Sequence, residues 1–195
     1  MMMNFQNINI EVSQCQLMIL GDNLDGKTSV IKGLLRQYEF SQFSKQMPFY
    51  NVQKEITANK ERVNLHLWDI NTNLQLQEFE SLIKEIIRLQ KGFIMVFDVN
   101  NENSLRNLTK WYRIILETTL LEDSNQKIYL LSTDCYQYQN GYNTLSKKDI
   151  QDWIEDYEVT KYIEVSRDNI YSMNYPYFKK LIGQIIKHIS VYGDH

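Results

Sequence analysis

Short apolar runs alternate along the chain with segments of helical spacing. Residues 16–20 (Gln-Leu-Met-Ile-Leu) form an apolar run that stops at Gly21, the pattern of a buried strand. Residues 28–37 follow with Val30, Ile31, Leu34 and Leu35 at the spacing of one helix face. Residues 52–57 and 63–69 predict two strands, the second alternating Val63, Leu65 and Leu67 with Asn64, His66 and Trp68. The turn-like Asn59-Lys60-Glu61 between them makes the pair a hairpin. Leu82, Ile83, Ile86 and Ile87 place a helix over 79–89, ahead of the wholly apolar strand 93–97, Phe-Ile-Met-Val-Phe. Helices over 105–121, 150–157 and 177–190 and strands over 128–131 and 162–165 complete the series. Strands alternating with helices long enough for right-handed crossovers predict an α/β fold. Its mostly parallel sheet has helices on both faces, and the hairpin supplies one antiparallel edge. Such sheets bind ligands at the carboxyl ends of their strands.

Composition narrows the classes. A length of 195 residues predicts a single domain spanning 1–195, with its core over 16–190. A net charge of −3 without a basic block excludes the electrostatic footprint of a nucleic-acid partner. Cys15 and Cys135 stand isolated, without the paired spacing of a zinc site or a disulfide framework, and read as core residues of a protein from a reducing compartment. No stretch reaches the ~18 apolar residues of a membrane span. Met2 occupies the position that myristoylation requires as glycine, and the last five residues hold no cysteine to prenylate. The expectation is therefore a cytoplasmic protein without lipid anchor or transmembrane segment.

The chemistry is concentrated in Gly21-Asp22-Asn23-Leu24-Asp25-Gly26-Lys27-Thr28, a complete G-x-x-x-x-G-K-[ST] lying between an apolar strand and a helix. Gly21 and Gly26 permit a backbone approach that a side chain would block, leaving N–H groups to surround phosphates. Lys27 supplies a point charge to the outer phosphates, and Thr28 offers a hydroxyl to Mg²⁺ at the helix start. Asn23, Asp25 and Ser29 complete the candidate set around the ligand. Asp25 sits awkwardly among polyanions, because two like charges ~4 Å apart cost about 1 kcal/mol in water and several at lower dielectric. Its carboxylate is expected either to turn outward or to pair with a basic side chain.

The loop, the hairpin ending Leu67-Trp68-Asp69, the run Phe93-Ile94-Met95-Val96-Phe97-Asp98-Val99 and the following helix with Trp111 together resemble the small Ras-like GTPases, most of all their Rab branch. The resemblance covers residues 16–189 and implies the six-stranded P-loop GTPase fold, GTP or GDP as ligand, and Mg²⁺ held by Thr28 and, through water, Asp69. The departures matter as much. Where Rab-like proteins carry W-D-T-A-G-Q-E, this chain reads Trp68-Asp69-Ile70-Asn71-Thr72-Asn73-Leu74, so both the glycine that senses the terminal phosphate and the water-orienting glutamine are replaced. Slow or absent hydrolysis is expected. No threonine lies between Thr28 and Thr57 to complete the magnesium shell of the triphosphate state, with Ser41 or Ser44 as candidate substitutes. The guanine-reading N-K-x-D is reduced to Ser132-Thr133-Asp134-Cys135. There Asp134 either contacts the base through a shortened loop or is a solvated turn residue. The S-A-K segment becomes Ser166-Arg167-Asp168, keeping only Ser166.

The remaining signals have ordinary readings. His66 and His188 lack partners at ligand spacing, the tryptophans read as packing residues, and Lys147, Lys148, Lys179, Lys180 and Lys187 read as solvated helix faces. Tyr136, Tyr138 and Tyr142 are candidates to face a protein partner. Three functions compete: an atypical Rab-like nucleotide-binding subunit of a larger assembly; an active switch completed by partner-supplied catalysis; and an ATP-dependent kinase or transferase, which lacks a lid-like arginine cluster. The lost switch and guanine signals favour the first. By analogy with the family's unprenylated intraflagellar-transport subunits, its setting is ciliary or cytoskeletal.

Overall fold

The structure, a computed structural model, describes residues 13–22, 25–35, 48–58, 61–71, 76–119, 126–133, 145–166 and 175–191. Six strands form one sheet: β1 (Ser13–Leu20), β2 (Phe49–Ala58), β3 (Glu61–Ile70), β4 (Gly92–Asp98), β5 (Lys127–Thr133) and β6 (Lys161–Val165). They lie in the order β2-β3-β1-β4-β5-β6. β1 runs parallel to both β3 and β4, and β4, β5 and β6 continue in parallel; only β2 is antiparallel, paired with β3 from Phe49↔Ile70 to Ala58↔Glu61. The helices are α1 (Lys27–Leu35), α2 (Glu80–Arg88), α3 (Glu102–Thr119), α4 (Lys147–Asp156) and α5 (Tyr175–Val191).

Alternation along the strands separates two cores. On one face Cys15, Leu17 and Ile19 of β1 join Ile94 and Val96 of β4 against Val30 and Ile31 of α1 and Phe178, Leu181, Ile182, Ile185 and Ile186 of α5. On the other, Met18, Leu20, Phe93, Met95 and Phe97 meet Ile83, Ile86 and Ile87 of α2, Leu105, Leu108, Trp111 and Ile115 of α3, and Ile150 and Trp153 of α4. Covered on both sides, β4 buries all seven of its residues, which explains its continuous apolar run. Each fully buried aliphatic or aromatic side chain contributes about 1.5–3 kcal/mol, so these central strands anchor the fold. Within one helix layer α1 and α5 meet closely enough to require a specific small residue. A Cβ on Gly33 of α1 would lie 2.2 Å from the Phe178 ring of α5.

The expected elements are all present, with shifted ends. β2 and β3 extend beyond the apolar positions at 52–57 and 63–69 because their backbone ladder continues through polar residues. α4 begins at Lys147, three residues before Ile150, because Ser146 and Asp149 form a reciprocal capping box. Pro176 fits the first turn of α5, where its missing N–H costs nothing. Positions 36–37 and 120–121 of the expected helices lie outside the described residues. Cys15 and the tryptophans Trp111 and Trp153 are buried as expected, and Cys135 lies outside the description. Lys147, Lys148, Lys179, Lys180 and Lys187 are exposed. Among the described residues no helix is long and apolar enough to cross a membrane.

Candidate nucleotide site

α1 leaves β1 for one face of the sheet and α2 leaves β3 for the other, which opens a crevice at the carboxyl ends of these strands. Gly21 closes β1 there. Its φ of +146° is a conformation L side chains rarely adopt, and a Cβ on it would lie 2.3 Å from the Val96 carbonyl oxygen. The loop therefore passes directly over β4. Gly26, at φ +84°, turns the chain into α1, where the Val30 amide donating to the Gly26 carbonyl at 2.9 Å is the first helical bond. The amides ahead of it have no intrahelical partner by construction, the arrangement that favours an anion at a helix start.

Lys27 is only 3% exposed. Its Nζ donates to the Ile70 carbonyl at 3.2 Å and stands 3.6 Å from Asp69 Oδ1, both groups at the end of β3. Burial raises the Asp69 carboxyl above the usual range while the Lys27 charge pulls it back. A buried ammonium facing one carboxylate and one carbonyl at the mouth of a glycine-framed loop can exchange the carbonyl for a phosphate oxygen. Asp69 Oδ1 is buried without a hydrogen-bond partner, an acceptor suited to a hydrated cation. Thr28 is exposed and Ser29 partly exposed on the first turn of α1. The residues present therefore fit a polyphosphate with a divalent cation.

Asp25 takes neither expected course. It is 1% exposed and makes no ion pair among the described residues; its Oδ2 instead accepts from the Asp22 amide at 2.9 Å, while Oδ1 has no partner. Burial pushes its carboxyl up to about 6, with the nearby Ser104 hydroxyl and the Asp22 amide opposing the rise and the Asp22 and Asp98 carboxylates adding to it. The physical reason is steric and topological: the loop tucks this residue inward against β4, β5 and α3, where no base is available.

Several residues around the loop escaped the sequence reading. Thr133, ending β5, reaches the Asp25 carbonyl at 2.7 Å and the Phe97 carbonyl at 3.1 Å through its hydroxyl. Asn107 of α3 donates to Asp22 Oδ2 at 2.7 Å. Asp98, ending β4, is capped by the Asn100 amide at 2.9 Å, and its own amide donates to Ser104 Oγ at 2.9 Å. The available signal was polar residues placed directly after apolar runs, as in Phe97-Asp98 and Leu131-Ser132-Thr133. Ser166 follows β6 and is exposed, whereas Asn23, Asp134, Ser41, Ser44, Thr72, Asn73 and the tyrosines 136, 138 and 142 lie outside the described residues. His66 Nε2 and Gln14 Oε1 are 2.9 Å apart, an ordinary polar pairing.

Known proteins are similar to this chain over most of its length. The model of the Ras family matches residues 16–187. The Ras-related protein Rab-32D of Dictyostelium discoideum is 25% identical over 156 residues, 80% of this chain and 67% of that protein. The Ras-related protein RabT1 of the same organism is 27% identical over 176 residues, 88% and 74% of the two chains. The GTP-binding protein YPTC5 of Chlamydomonas reinhardtii is 26% identical over 156 residues, 77% and 72%. A match that runs from within β1 into α5 takes in the sheet, the loop and the helices around it, and the chain belongs to the Ras family, as a small GTPase of its Rab-like branch.

Proposed function

We propose that the protein holds a guanine nucleotide, GTP or GDP, with Mg²⁺ in the 21–28 loop, turns GTP over slowly or not at all, and serves as a protein-binding subunit of a larger ciliary or cytoskeletal assembly. The observation that carries the nucleotide reading is the buried Lys27 ammonium beside Asp69, beneath a loop framed by two positive-φ glycines. The relative YPTC5 is a GTP-binding protein, which supports guanine as the base.

In this reading Gly21, Asn23, Asp25, Gly26, Lys27, Thr28 and Ser29 offer backbone amides to the phosphates, and Lys27 gives up the Ile70 carbonyl for a phosphate oxygen. Thr28 and Asp69 hold Mg²⁺, which neutralises phosphate charge when bound. Asp134 and Ser166 contact the base. Slow turnover follows from Thr72 and Asn73 standing where the family orients the attacking water. A switch threonine is missing between Thr28 and Thr57, so di- and triphosphate forms differ by fewer contacts, and a ligand that binds two states equally shifts neither. A steady binding surface suits a complex subunit better than a cycling switch.

The test is to purify the full chain with Mg²⁺, denature it and identify the released ligand by chromatography. A guanosine phosphate near one per chain is expected; an adenine nucleotide, or none, overturns the reading. Added GTP should yield phosphate more slowly than in ordinary small GTPases, and brisk release would instead favour an active switch with partner-supplied catalysis.

A further inference from the structure

The Asp25 side chain lies in the phosphate loop yet is turned away from any cation. It is 1% exposed, Oδ1 is buried without a hydrogen-bond partner, and Oδ2 accepts from the Asp22 amide at 2.9 Å. Thr133 donates to its main-chain carbonyl at 2.7 Å and seats the loop on β5 at this residue. The groups around it come from four elements. The loop supplies Asp22, whose Oδ2 accepts from Asn107 at 2.7 Å, and Lys27, whose ammonium is taken by Asp69 at 3.6 Å and the Ile70 carbonyl at 3.2 Å. β4 supplies Asp98, α3 supplies the neutral Ser104 and Asn107, and β5 the neutral Thr133. The charged Glu102 and Arg106 of α3 pair with each other at its surface. Two carboxylates and no available cation thus face Asp25 among the described residues.

We propose that Asp25 couples polyphosphate binding to proton uptake: its carboxyl takes a proton from solvent as the phosphates enter the loop, and affinity rises as pH falls through neutrality. The inference rests on the nucleotide reading above and specifies how that site responds to its ligand. The bond formed is O–H at the carboxyl, with no other bond changed. Phosphate charge in the loop acts on Asp25 as a third anion, and a like charge disfavours the ionised carboxylate. Burial has already brought this carboxyl to about 6, so a further rise of a unit or two carries it across physiological pH. By reciprocity, whatever ligand binding adds to proton affinity, protonation adds to ligand affinity. Between the two Asp25 values, affinity gains up to about tenfold per pH unit.

Calorimetric titration of the full chain with GDP and excess Mg²⁺ at pH 7, repeated in buffers of different ionisation enthalpy, counts the protons directly. Uptake of about 0.4 to 0.8 proton per GDP is expected for a rise of one to two units from about 6. Asp25→Asn should reduce the count to near zero and bind GDP about tenfold or more tightly than wild type at pH 8, the ratio closing toward unity below pH 6. This ratio cancels the titration of GDP itself. GDP binding without proton uptake by wild type, or a ratio constant with pH, overturns the inference and leaves the nucleotide reading standing. No GDP binding at any pH overturns both. Should Asp25→Asn fail to fold, the wild-type proton count decides alone.

Discussion

The phosphate loop has a carboxylate packed against each of its flanks, and the two live in opposite company. Asp69, at the end of β3, faces the Lys27 ammonium at 3.6 Å. Asp25, on the side of β4, β5 and α3, faces the carboxylates of Asp22 and Asp98. Burial raises both carboxyls, but on the Asp69 side a cation opposes the rise and on the Asp25 side two anions reinforce it. Burial is the largest cause on both flanks; what differs is the sign of the neighbouring charges, which oppose it at Asp69 and add to it at Asp25. The Asp69 flank is built to hold charge, and the Asp25 flank to shed it.

Removing the cation from the first flank should have the largest effect. Lys27→Met leaves Asp69 without its charge partner and is expected to lower stability by about 3 kcal/mol in urea unfolding, besides abolishing nucleotide retention. An unchanged unfolding midpoint would mean that the pair contributes nothing.

On the second flank a comparable neutralisation should act in the opposite direction. Asp25→Asn is expected to raise stability by about 2 kcal/mol at pH 7.5. The sign follows from the folded-state value of about 6 lying above the ordinary 3.8: the native chain binds the proton more tightly than the unfolded chain. Wild-type stability from this group is thus fullest below pH 4 and is lost as pH rises to about 6, then stays level. The advantage of Asp25→Asn should disappear in the same window, and a variant less stable than wild type at pH 7.5 would break the comparison.

Smaller effects sharpen it. Thr133→Val keeps the shape but removes the hydroxyl that reaches the Asp25 and Phe97 carbonyls, with an expected cost of about 1–1.5 kcal/mol by thermal unfolding. Asn107→Ala removes the donor to Asp22 Oδ2 and should cost about 1 kcal/mol. It should also raise the Asp25 value slightly, since an unscreened Asp22 repels the ionised form more strongly; no change in either quantity would place Asn107 outside the network.

Legibility in the sequence tracked distance along the chain. The apolar runs of β1 and β4 and the helical spacing of α2 and α3 announced themselves because their cause is local periodicity, repeated every two or every three to four residues. The loop was equally plain, since its glycines, Lys27 and Thr28 occupy consecutive positions with fixed roles. The surroundings of Asp25 were not. Thr133 lies 108 positions from it, and Asn107 lies 85 from Asp22; no local pattern links them until the sheet brings the strand ends together. The same holds for Lys27, whose carbonyl partner Ile70 is 43 positions away. The start of α4 was missed for a different reason: Ser146 and Asp149 are a readable capping pair, but apolar spacing alone pointed to Ile150.

The most direct measurement is a pH titration of the aspartate carboxyl carbons by NMR, with Asp25→Asn identifying the Asp25 signal, in the absence and presence of GDP and Mg²⁺. The account predicts a midpoint for Asp25 of about 6 in the ligand-free chain, moving upward when GDP fills the loop. A midpoint near the ordinary 3.8, or one that GDP leaves unmoved, would contradict it.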